Sequence, residues 1–110
     1  MASKVLVLIS TGEKNKALTG LAYAARAIQQ GWHSDVKVGF FGPSEALLAD
    51  DPEVQEAVSQ LRGHAIPFAC KAIADRAGIS ERLVTLGLDV HYVGETISGY
   101  IKDDYVPMVF

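Results

Sequence analysis

Cys70, the single cysteine of this 110-residue chain, is the residue whose type and place suggest covalent chemistry. It stands in the run His64-Ala65-Ile66-Pro67-Phe68-Ala69-Cys70-Lys71-Ala72-Ile73-Ala74-Asp75-Arg76-Ala77-Gly78, which reads as a short apolar strand passing directly into a helix. At such a junction backbone N–H groups point outward and the helix dipole adds partial positive charge. Both favour the thiolate, the form that attacks electrophilic sulfur. Lys71 supplies a neighbouring cation, so the expectation is a partly exposed, reactive Cys70. The competing reading is a packing thiol. Ile73, Ala74 and Ala77 fall at i+3, i+4 and i+7, and a cysteine on that helical face fills a core as a small hydrophobe.

Two further patterns bear on phosphate chemistry. Cys70 and Arg76 have the Cys-x5-Arg spacing of tyrosine phosphatases and arsenate reductases, in which a glycine-containing loop wraps a phosphate. Here the intervening Lys-Ala-Ile-Ala-Asp favours a helix, which turns Arg76 through about 600° and off the face of the thiol. Ser10-Thr11-Gly12 is placed like a flavodoxin phosphate loop, but Glu13 follows and would repel the phosphate, so no cofactor is expected. His33, His64 and His91 are scattered without metal-ligand spacing, so no metal site is expected and all three read as structural or exposed. Tyr23, Tyr92 and Tyr100 read as core residues.

The elements that must position Cys70 follow from hydrophobic periodicity. Lys4–Ile9 is a continuous apolar run suited to a strand covered on both faces. Glu13–Gln30 carries a helical stripe of Leu18, Leu21, Ala22, Ala25 and Ile28 and stops at Gly31. Asp35–Phe41 is a second strand. Ser44 is expected to cap a short helix through Leu48, and Pro52 to open another that Arg62-Gly63 ends. The strand before Cys70 follows, with Pro67 at its start or an edge, then helices to Ala77 and over Ser80–Leu86. A strand over Leu88–Val93, a helix from Gly94 and an edge strand over Tyr105–Phe110, which tolerates Pro107, complete the chain. Strands alternating with helices predict a three-layer α/β/α sandwich with a five-stranded, mainly parallel sheet of the flavodoxin or Rossmann kind. Ligands of such sheets bind at the strand C-termini, near a switch point. That edge collects Ser10, Thr11, Gly12, Phe41, Gly42, Cys70, Lys71, Gly94 and Glu95 as the candidate substrate-binding row.

Composition narrows the class. With 49% hydrophobic and 21% charged residues the chain has the balance of one folded domain over residues 1–110. A net charge of −3 argues against nucleic acid or an anionic membrane surface as the main partner. The apolar run Val5–Ile9 is too short for a signal segment or a membrane span, and one cysteine forms no internal disulfide, so a cytoplasmic location is expected.

Three segments together resemble the DsrE/DsrF-like family of small sulfur-relay proteins, which includes the TusD-type carriers. They are Lys4-Val5-Leu6-Val7-Leu8-Ile9, the stretch Gly63 through Phe68-Ala69-Cys70 to Ala77-Gly78-Ile79, and Leu88-Asp89-Val90-His91-Tyr92-Val93-Gly94. The resemblance implies a single DsrE-like domain in which Cys70 accepts sulfane sulfur as a persulfide from a donor protein and passes it to an acceptor. It also implies a cytoplasmic homo-oligomer, a trimer or hexamer. With no second thiol, a self-contained dithiol oxidoreductase is excluded. The alternative is a non-catalytic α/β module that binds a small molecule or a partner subunit at the same edge.

Overall fold

The structure, a computed structural model, describes residues 3–61 and 63–110. Arg62, expected to help end the third helix, lies outside the described residues. The element order is β1 (Lys4–Ile9), α1 (Lys14–Gln30), β2 (Asp35–Phe40), α2 (Ser44–Asp50), α3 (Pro52–Ser59), β3 (Phe68–Cys70), α4 (Lys71–Ala77), α5 (Ser80–Thr85), β4 (Asp89–His91), α6 (Gly94–Lys102) and β5 (Tyr105–Val109).

Local chemistry explains the helix starts. Glu13 caps α1, its carboxylate accepting from the N–H groups of Asn15 and Lys16. Asp51 does the same for α3 on Glu53 and Val54, with Pro52 in the first turn, where its missing N–H costs nothing. Ser44 departs from its expected role as a cap. Its hydroxyl instead donates back to the Ile9 carbonyl at 2.5 Å, tying the start of α2 to the end of β1. The side chain is fully buried there, so satisfying a strand-end carbonyl outweighs capping the helix.

All five strands are parallel, in the order β4-β3-β2-β1-β5. From β1 to β4 each right-handed crossover steps the same way, so α1 to α5 pack on one sheet face. The step from β4 back to β5 reverses direction and puts α6 on the other. The core divides accordingly. One cluster joins Val5, Val7, Ile9, Val38 and Phe40 to the inner residues of α1–α5. The second joins Leu6, Leu8, Phe68, Cys70, Val93 and Tyr105, with Ile97 and Tyr100 of α6 and Ile73 of α4 packed against it. The three-layer α/β/α sandwich expected from the sequence is therefore the fold. Its strand order differs from the 2-1-3-4-5 of flavodoxin, so the point of reversal lies between β1 and β5.

Pro67 is buried immediately before β3 and opens the strand. Pro107 lies in the edge strand β5. The Phe110 N–H donates to Leu8, so even-numbered residues face β1 and the missing N–H of Pro107 falls on the open side, where it blunts the edge. Among the described residues no helix is long and apolar enough to cross a membrane.

Candidate functional site at the β3–α4 junction

Cys70 ends β3 and is itself the N-cap residue of α4, as the strand-into-helix reading requires. Strand alternation sends Phe68 and Cys70 to the α6 face and Ala69 to the other. The sulfur makes no capping hydrogen bond to the helix. It is more enclosed than expected for an exposed nucleophile: Cys70 is only 7% exposed. The cause is that alternation, which turns the side chain onto the sheet face, into the cluster with Phe68 and Val93, instead of along the axis of α4.

The sheet register brings His91 to the thiol. Cys70 and His91 are paired residues of β3 and β4 and so share a face, and Phe41 follows one step beyond the Phe40–Ala69 pair on the other side of Cys70. His91 Nδ1 lies 3.2 Å from Asp89 Oδ1, and Nε2 lies 2.7 Å from Thr96 Oγ1 at the start of α6. In the neutral ring Nδ1–H therefore donates to Asp89 while Nε2 accepts from the Thr96 hydroxyl. Phe68 packs beside the ring with centroids 6.1 Å apart. The turn holding Gly94 and Glu95 is drawn to the same end of the sheet through Thr96. Read as scattered and structural, His91 is the neighbour that sequence reasoning missed. Knowledge that β3 and β4 are adjacent would have revealed it.

A second missed residue lies behind the cysteine. Glu45, in the first turn of α2, is completely buried. Its Oε2 is 3.4 Å from the Gly42 N–H, a long contact, and among the described residues Oε1 has no hydrogen-bond partner. Burial pushes its carboxyl up to about 7, although the backbone N–H groups of Gly42 and Cys70 both favour the ionised form. Gly42 is required at this turn. Its φ is +133°, and a Cβ there would lie 2.7 Å from Ser10 Oγ and 2.9 Å from the Ser10 carbonyl oxygen. In sequence Glu45 reads as an ordinary first-turn acid, because its burial depends on how the β2–α2 loop packs.

The remaining candidates divide. Ser10 and Gly12 pack against Gly42 and Pro43, so the β1–α1 and β2–α2 loops do meet. Their donors, however, are used internally. The Ser10 and Thr11 N–H groups both donate to the Phe110 carbonyl oxygen, at 2.7 and 3.1 Å, and Thr11 Oγ1 accepts from the Glu13 N–H. With Glu13 capping α1 as well, neither the loop nor the helix start presents a cradle for phosphate. Phe110 thus fills the switch point, two strands away from Cys70. Lys71 does not serve the thiol as a free cation: its ammonium is 2.9 Å from Asp75, and this hydrogen bond raises it above the usual lysine range. Tyr92, expected in the core, is 66% exposed, because it lies past the end of β4 where no layer covers it.

The run from Lys71 to Ala77 is helical, as read, so Cys70 and Arg76 do not form a phosphatase loop. Arg76 instead lines an apolar groove of about 370 Å³ with Gly42, Pro43, Ala46, Ile73 and Ala77. Among the described residues no group of three or more His, Cys, Asp or Glu side chains could hold a metal ion.

Comparison with known proteins identifies no matching family model and no matching curated protein. The chain is similar to a solved structure, a conserved protein of unknown function from Bacteroides thetaiotaomicron. The two are 24% identical, and the alignment covers 98% of this chain and 95% of that one with a TM-score of 0.91. At that identity the likeness establishes the fold alone: five parallel strands in a three-layer α/β/α sandwich.

Proposed function

We propose that this protein is a sulfur carrier of the DsrE/DsrF kind that holds sulfane sulfur as a persulfide on Cys70. The observation that carries the reading is the place of the thiol: it ends β3, heads α4 without a capping hydrogen bond, and lies on one face beside His91. In the transfer, the Cys70 thiolate attacks the outer sulfur of a donor persulfide. A new S–S bond forms on Cys70, the donor S–S bond breaks, and the donor leaves as a thiolate that takes up the proton given up by Cys70. An acceptor thiolate repeats the step on the outer sulfur of Cys70, so no external oxidant or reductant is consumed. That sulfur lies about 2 Å beyond Sγ.

Exposure of the native protein to a persulfide donor should add one sulfur mass, and Cys70→Ser should gain none. Intact mass spectrometry reads both. The second reading, a non-catalytic binding module, is favoured by the enclosure of Cys70 and by the apolar groove between α2 and α4. A Cys70 that takes up neither sulfur nor alkylating reagent until the protein is denatured would establish a packing thiol and leave the binding module standing.

The same reading makes the protein a cytoplasmic homo-oligomer, a trimer or hexamer, with donor and acceptor proteins as transient partners. It is supported by a sheet face covered only by α6 and Ile73 of α4 and by the exposed apolar side chains of Phe41, Ile101 and Val109. Light scattering at micromolar concentration should give a multiple of the chain mass, and a monomer there overturns this part of the reading.

A further inference from the structure

We propose that Glu45 is a positioning residue that gates Cys70: its neutral carboxyl keeps the β3–α4 junction shut, and its ionisation opens the junction to solvent. The proposal deepens the sulfur-carrier reading and rests on Cys70 being the reacting thiol. A thiol that is only 7% exposed must be uncovered before a donor or acceptor can reach it. The group placed to do this is the buried carboxyl of Glu45, which contacts the Gly42 N–H of the β2–α2 loop and is near enough to the Cys70 backbone N–H for that group to favour its ionised form.

Two features make the carboxyl bistable. Among the described residues Oε1 is buried without a hydrogen-bond partner, and the donors that favour its ionised form are two backbone N–H groups alone, Gly42 at a long 3.4 Å from Oε2 and Cys70. A neutral carboxyl tolerates this, whereas an ionised one demands donors for both oxygens. The enclosed site supplies no further donor to Oε1, so water must, and water reaches Oε1 only if the loop and the junction separate. Surrounding charges do not answer the demand. On the elements packed against α2, Glu53 pairs with Lys14, Lys71 with Asp75 and Arg82 with Asp50. Glu56, Arg76 and Glu81 complete the charged set there, and none of these groups perturbs Glu45, whose shift comes from burial opposed only by the two backbone N–H groups.

Linkage sets the scale of the gate. If opening returns the carboxyl from about 7 to its ordinary 4.5, ionisation favours the open form by up to roughly 300-fold at pH 8. The gain accumulates between those two values and levels off above them.

The test is the rate of iodoacetamide alkylation of Cys70 in the native wild type and in Glu45→Gln, which keeps the shape of the side chain but stays neutral. Ionisation of the thiol itself raises both rates, so the ratio of wild type to variant isolates the gate. That ratio should climb at least tenfold as the pH rises from about 4.5 to about 7 and then flatten. A ratio that stays constant overturns the proposal. So does one that falls, since that means the Glu45 charge merely repels the thiolate. Should Glu45→Gln fail to fold, amide hydrogen exchange in the wild type serves instead. Protection at Gly42 and Cys70 should collapse through the same pH range, and protection that falls only as base catalysis requires overturns the gate. Sulfur loading separates the two claims. Alkylation that is gated without sulfur uptake removes the carrier reading and keeps the gate, and ungated sulfur uptake does the reverse.

Discussion

Wild-type protein should lose about 3 kcal/mol of stability relative to Glu45→Gln as the pH rises from 4.5 to about 7, and no more above that. The sign follows from the proton balance. In the folded chain burial holds Glu45 up to about 7, whereas the unfolded chain releases the proton near 4.5. The unfolded state therefore binds fewer protons between those values, and stability falls with pH across that window. A shift of this size corresponds to about 3 kcal/mol at 1.36 kcal/mol per pH unit. Glutamine cannot ionise and lacks the slope. Every other carboxylate contributes equally to both proteins and cancels in the difference. Urea unfolding of both at a series of pH values supplies the measurement. Near pH 4 the two should agree closely, near pH 8 the variant should be the more stable, and parallel curves would show that the interior does not hold the Glu45 proton.

The same curve constrains the gate. A native protein that opens locally need not keep the ionised carboxyl buried, so the stability loss cannot exceed the free energy of opening in the neutral state. A plateau below about 3 kcal/mol would then measure that opening directly, and its midpoint would fall below pH 7 by a matching amount. Stability and alkylation thus report one equilibrium from two sides.

Legibility from sequence was uneven, for physical reasons. Strand and helix identities are local: Val5–Ile9 can only be a doubly covered strand, and Gly31 and Gly78, with φ of +65° and +72°, end α1 and α4 as their place after apolar stripes implies. The layering follows from the alternation of strands and helices. Strand order does not, and the pairing of Cys70 with His91 is a consequence of strand order, so three histidines read as unrelated hid the one that adjoins the thiol. Thr11 misled in the other direction. A βα turn rich in small polar residues looks like a ligand loop, yet here the Phe110 carbonyl takes the Ser10 and Thr11 N–H groups, Thr11 Oγ1 accepts from the Glu13 N–H, and the Glu13 carboxylate caps α1. Glu45 was the least legible, because a carboxylate in a helix's first turn normally faces water, and only the packing of Ser44 onto Ile9 and of Gly42 onto Ser10 draws it inward.

Gly39→Ala should cost about 3 kcal/mol, a large loss for one methyl group, and most of that loss should vanish when Phe68 is made smaller. Gly39 and Phe68 are paired residues of β2 and β3, and the Phe68 ring leans across the sheet into the space that a side chain at Gly39 would fill. A Cβ there would stand 2.1 Å from Phe68 Cζ and 2.2 Å from Cε1, distances no packed structure tolerates. The backbone has little room to yield, because β2 is held between β1 and β3. Nor can the ring swing aside freely, with His91 at 6.1 Å and Tyr100 stacked at 6.4 Å, centroid to centroid. It must leave the second core, and the cost approaches that of removing a buried aromatic, about 3–5 kcal/mol. In Phe68→Leu the shorter side chain leaves space for the new methyl, so adding Gly39→Ala to it should cost under about 1 kcal/mol. The coupling energy from the four unfolding measurements should then be about 2 kcal/mol, whereas two substitutions that simply add would show that the ring yields without strain. Because Phe68 also flanks His91, Gly39→Ala should slow sulfur uptake at Cys70 by more than its effect on the folded fraction. That result would tie the glycine of β2 to the thiol of β3 through a single displaced ring.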